Sequence, residues 1–125
     1  MVPPIELDLP ATPLASALAR AGLRPICDAI PSEASVDLCI IVSELIAAAV
    51  RHARISGLDE ITVRAAPNDV GVHVEITDAG PGFDFSIGAR SEGIAWGPFV
   101  MRRLASDWGV ARRGEHTTVW FDVAA

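Results

Sequence analysis

Apolar and polar residues alternate along the first ten positions. Ile5, Leu7 and Leu9 are separated by Glu6 and Asp8, and Pro10 follows. Period two with a proline stop predicts a half-buried strand. Thr12-Pro13 then reads as a helix start, with threonine as cap and proline at the first helical position. The alanine- and leucine-rich helix it opens is expected to run to about Arg24 and to resume after Pro25. A second start at Pro31-Ser32-Glu33 opens a longer helix, expected to end near Arg54. Between Leu38 and Val50 that helix is apolar around nearly its whole circumference, so it must be packed on more than one side.

After Gly57 the period changes to two. Ile61, Val63 and Ala65 alternate with Thr62 and Arg64, and Val72, Val74 and Ile76 with His73, Glu75 and Thr77. With Pro67-Asn68-Asp69 between them as a turn, the two runs predict a hairpin with one buried face. From Asp78 to Trp96 no period holds. A short helix is expected over Pro98 to Ala105. Trp108 to Val110 and Thr117 to Val123 read as a closing hairpin. Strands in hairpins with the helices on one face predict the α+β class, a two-layer α/β sandwich whose sheet is mixed and mostly antiparallel. With 125 residues, half of them hydrophobic, and no repeat, low-complexity tract or linker, the expectation is one domain covering the whole chain.

Charge and composition remove several function classes. All ten basic residues are arginine. Without lysine there is no Walker phosphate loop, no ion-paired lysine of the eukaryotic-type kinases and no lysine Schiff base. A net charge of −6 argues against sequence-independent nucleic-acid binding, which needs a basic surface. No apolar run is long enough to cross a bilayer. The start lacks the basic and apolar regions of a signal peptide, so a cytoplasmic chain with no membrane partner is expected. Two cysteines make no disulfide framework; both are expected to be reduced, with Cys39 in the core. Three histidines with no H-x-x-x-H, and no C-x-x-C, give no recognisable zinc site.

Three local features carry candidate chemistry. Glu44, in the middle of the apolar helix, is costly unless it meets water, a ligand or a partner charge. It either looks into solvent or pairs with Arg51, or it faces a site. Asp78-Ala79-Gly80-Pro81-Gly82, directly after a strand, is either a plain turn or a carboxylate with a close-approach backbone beside it. In the second case the carboxylate can accept a hydrogen bond from an exocyclic amine such as that of adenine. The glycine-spaced segment Gly88 to Gly97 is either a simple loop or a source of free backbone N–H groups at a helix start, suited to a phosphate chain. Arg102-Arg103 and Arg112-Arg113 are basic pairs on an acidic protein. They read either as solvated faces or as contacts for an acidic partner.

The order of these three features resembles the Bergerat-type ATPases of gyrase, histidine kinases and mismatch repair, and more closely the anti-sigma-factor serine kinase branch. Val42-Ser-Glu-Leu-Ile-Ala-Ala-Ala-Val-Arg-His-Ala53 resembles the family's helix box. Asp78-Ala-Gly-Pro-Gly-Phe-Asp84 resembles its adenine box, and Leu104 to Val110 and Thr117 to Phe121 resemble its C-terminal pattern. The resemblance implies a Bergerat fold binding ATP or ADP with magnesium. Glu44 would be the general base, Asp78 the adenine-amine acceptor and Gly80 and Gly82 the turn against the base. Thr117 would support the aspartate, and Gly97 would stand in the phosphate-facing lid. It also implies a sigma factor or an anti-sigma antagonist as partner, and a homodimer through the first strand and helix.

The departures sit at one end of that site. Ala48 occupies the position of the family's magnesium-binding asparagine, and a methyl group offers no oxygen to a cation that wants near-octahedral oxygen ligands. The chain's single asparagine, Asn68, falls in the predicted hairpin turn. The lid reads Ala95-Trp96-Gly97-Pro98, bulkier and stiffer than the family's glycine-rich form, and His116 stands where a glycine usually precedes the threonine. Two functions follow as expectations: a weakened serine/threonine kinase, or a pseudo-kinase that regulates by binding alone.

Overall fold

In the computed structural model, residues 2–56, 60–78, 96–114 and 116–125 are described, with side chains for all but 52–56, 96–98 and 113. Strand β1 (Ile5–Pro10) is followed by helices α1 (Ala15–Gly22), α2 (Arg24–Cys27) and α3 (Ser32–Ser56). Strands β2 (Glu60–Asn68) and β3 (Gly71–Asp78) form the first hairpin. After helix α4 (Trp96–Leu104), strands β4 (Asp107–Arg113) and β5 (His116–Ala124) form the second. The sheet order is β1-β2-β3-β5-β4, and every described pairing is antiparallel. β3 is therefore the central strand.

Period two does the sorting. Ile61, Val63 and Ala65 of β2, Val72, Val74 and Ile76 of β3, and Val119, Phe121 and Val123 of β5 are all buried on one face. The helices cover that face. α1 packs on β1, α4 on β4, and α3 lies between them against β3 and β5. Leu38, Ile41, Val42, Leu45 and Ile46 of α3 are fully buried, as its all-round apolar surface requires. The result is the two-layer α+β sandwich. No described helix is long and apolar enough to cross a membrane.

Boundaries differ from expectation where local hydrogen bonds compete. α1 begins at Ala15 rather than Pro13, because Thr12 closes a turn first: its hydroxyl accepts from Leu14 N at 3.3 Å and its carbonyl from Ala15 N at 2.9 Å. The break before α2 falls at Leu23, and Pro25 sits inside the first turn of α2, where its missing N–H costs no helical bond. The same tolerance lets α4 start two residues before Pro98.

The first hairpin turns at Asp69-Val70, and Pro67 and Asn68 belong to β2. The Asn68 side-chain oxygen accepts from Val70 N at 3.0 Å and Gly71 N at 2.9 Å, which fixes the two-residue turn. Gly71 is required there, since a Cβ would stand 1.9 Å from the Val123 carbonyl oxygen. Cys39 is half-buried rather than in the core.

Candidate functional site

Asp78 is the last residue of the central strand. It continues the buried series Val72, Val74, Ile76, so its carboxylate points into the helix-covered face, and it is 5% exposed. Thr117 stands directly opposite it on β5, on the same face, and is 3% exposed. These are the buried polar residues among the described ones, and they form a cross-strand pair. One row across the sheet holds Ile61, Asp78, Thr117 and Arg112. Arg112 is exposed at the end of this row. The sequence shows Arg112 only as part of a basic pair; the register of β4 on β5 is what aligns it with Thr117.

Glu44 and Ala48 lie one turn apart on α3, and both are half-buried. Their side of the helix follows from Ser43. The Ser43 hydroxyl accepts from Arg20 of α1 at 3.2 Å, and the Ser16 hydroxyl donates to the Ser43 carbonyl at 3.5 Å, so Ser43 faces α1. At about 100° per residue, Glu44 and Ala48 are turned about 100° and 140° from it. They occupy the flank away from α1, the side on which α4 packs. Glu44 makes no ion pair among the described residues, with Arg51 or any other. Arg51 instead lines a surface hollow with Thr12, Ser16 and Ala47.

Glu44 is the midpoint of α3, and Ala48 lies one turn nearer its C-terminus. β2 starts at Glu60, shortly after α3 ends at Ser56, and Ile61 pairs with Asp78. The C-terminal half of α3, which carries Ala48, therefore runs towards the Asp78 end of the sheet. Gly97 is the second residue of α4, and Pro98 the third. Gly80, Gly82 and most of the Gly88 to Gly97 segment lie outside the described residues.

The donors present differ in what they fit. A buried carboxylate beside a hydroxyl at a strand end suits an amine N–H. The helix-box position does not suit magnesium, because Ala48 presents a methyl group. Asn68 does not replace it. Its oxygen is taken by two backbone N–H groups, and it pairs with Gly71 at the opposite end of β3, about 23 Å from Asp78 at 3.3 Å per residue. There it lines a hollow of about 570 Å³ with Val2, Ile26, Ile30 and Ala125.

Residues 9–123 match the family described as the histidine kinase-like ATPase domain. The chain belongs to that family. No curated protein matches it. Among solved structures, the crystal structure of the RsbU and RsbW domains of Rv1364c from Mycobacterium tuberculosis matches with a TM-score of 0.74 and 23% sequence identity. The match covers 99% of this chain and 33% of that one, so this chain spans a third of that protein's length. At this identity the likeness speaks for the fold. Membership in an ATPase-domain family makes a nucleotide the ligand to consider for this end of the sheet.

Proposed function

We propose that this chain is a single-domain, cytoplasmic ATP-binding regulator of the anti-sigma-factor serine/threonine kinase type. It acts by holding a sigma factor or an anti-sigma antagonist. The buried Asp78–Thr117 pair carries the reading: Asp78 accepts the adenine amine and Thr117 supports the carboxylate; the resemblance of the Asp78 to Asp84 motif assigns Gly80 and Gly82 to the base. Gly97 and the start of α4 face the phosphates, and Glu44 acts as base towards an attacking hydroxyl. The histidine kinase-like ATPase family and the RsbW domain in the matched structure support this assignment.

Ala48 favours a second reading of the same site, a pseudo-kinase that binds adenine nucleotide and a partner without efficient transfer. Loss of even an outer partner at a metal site costs roughly 10–100-fold, and Ala48 removes a direct ligand. Calorimetry with ATP and ADP, with and without magnesium, tests both. Binding that hardly responds to magnesium supports the pseudo-kinase. Tight magnesium-dependent ATP binding, with labelled γ-phosphate passing to an antagonist protein, supports the kinase. No nucleotide binding in either condition overturns both.

A homodimer through β1 and α1 belongs to this proposal. β1 is an edge strand, and Leu14 and Leu18, 67% and 44% exposed, leave an apolar face beside it. Sedimentation of the protein and of Leu18→Glu tests it; a wild-type monomer at micromolar concentration overturns it.

A further inference from the structure

Cys27 closes α2, and Cys39 lies in the second turn of α3. Twelve positions apart in sequence, their Sγ atoms stand 3.9 Å apart, in reach of a thiol–thiol hydrogen bond. Both thiols are free, on half-buried residues. A disulfide holds its sulfurs at about 2.05 Å. The remaining gap is of the size that a χ1 change at either residue makes. α2 is a single turn, the smaller of the two elements to be adjusted.

We propose that Cys27 and Cys39 form a two-thiol modification site, which hydrogen peroxide oxidises to an intramolecular disulfide, reducible by a dithiol, tying α2 to α3. The Cys39 thiolate attacks the peroxide O–O bond, giving a sulfenic acid and one water. Cys27 then attacks the sulfenic sulfur as its thiolate; the S–S bond forms and a second water leaves, taking up the Cys27 proton. Two thiols lose two electrons, and one peroxide is reduced to two waters. Burial and the adjacent Cys39, reinforced by the Asp28 charge and opposed by the Ser35 hydroxyl, hold the Cys27 thiol above its ordinary range. A less ionised thiol is the slower first nucleophile, which leaves Cys27 the resolving step. The site does not depend on the nucleotide reading above, because it uses none of the same residues.

The test treats the full chain with excess hydrogen peroxide, alkylates remaining thiols, and digests without reductant using a protease that cleaves before aspartate. Asp28 and Asp37 lie between the cysteines, so cleavage there leaves the two cysteine fragments joined only by a disulfide. The expected result is loss of both free thiols and one species containing both fragments, lighter by two hydrogens and separated by dithiothreitol. The melting midpoint of the oxidised wild type rises, and neither Cys27→Ser nor Cys39→Ser shows the cross-link or the rise. Thiols that persist, separate fragments carrying sulfinic acid, or disulfides formed only between two copies would each overturn the proposal.

Discussion

Asp78 and Thr117 face each other across β3 and β5, side chains on the helix-covered side and both nearly sealed from solvent. A carboxylate is rarely placed so deep without a polar partner. Asp78→Ala is expected to weaken ATP and ADP binding by about 10–100-fold, the worth of a charge-assisted hydrogen bond of about 1.5–3 kcal/mol. Thr117→Val, which keeps shape and removes the hydroxyl, should cost about 5-fold. Calorimetric titration of the two variants checks both. Equal affinities in wild type and Asp78→Ala would remove the adenine assignment.

Ala48 is half-buried on the same flank of α3 as Glu44. Ala48→Asn restores an amide oxygen there, and the ratio of ATP affinity with magnesium to that without should rise by about 10-fold. Helix propensity makes the substitution cost about 0.7 kcal/mol or less, so folding should survive it.

Glu44→Ala separates binding from transfer. Having no ion pair among the described residues, Glu44 contributes little to the fold, so nucleotide affinity and unfolding midpoint should stay close to wild type. Any phosphate transfer to an antagonist should drop by about 100-fold or more, the typical contribution of a general base. An undiminished transfer rate in Glu44→Ala would assign the base elsewhere.

On the open face of the sheet, His73 lies between two carboxylates. Its Nδ1 is 2.6 Å from Asp122 and its Nε2 3.1 Å from Glu75, with the Trp120 ring 5.7 Å away. Burial lowers its pKa, but hydrogen bonding to and the charges of Asp122 and Glu75 outweigh that, and the net direction is upward. A raised folded-state value means the native state binds the proton more tightly. The stabilisation is therefore complete below the ordinary histidine value of about 6.5 and is lost as pH rises through the folded value. With all three side chains about a third or more exposed, screening keeps it below about 1 kcal/mol. Urea midpoints should fall slightly between about pH 6 and pH 8, and His73→Gln should flatten that slope.

Gly71 touches the Val123 carbonyl so closely that a methyl group has no room. Gly71→Ala must push β3 and β5 apart at their paired ends, at a cost of about 1–3 kcal/mol. Chemical denaturation measures it, and an unchanged midpoint would show that the hairpin adjusts freely.

The amino-acid sequence by itself determined the strand and helix types, because burial on one face imposes period two or 3.6 on the residues that meet the core. It also settled the absence of lysine chemistry and the order of acid, glycine turn and helix, which are properties of the chain before it folds. Boundaries at Thr12, Leu23 and Asp69-Val70 escaped it by a few residues. Side-chain hydrogen bonds at Thr12 and Asn68, and backbone bonds at Leu23, compete there with helix and strand continuation over energies too small to leave a pattern. Only the tertiary structure decided which residues become neighbours: Thr117 with Asp78 on one side and Arg112 on the other through β-sheet register, Glu44 and Ala48 on the flank away from α1, and Cys27 with Cys39. Register and helix phase relative to other elements are set by how the whole core packs, and no local segment carries that information.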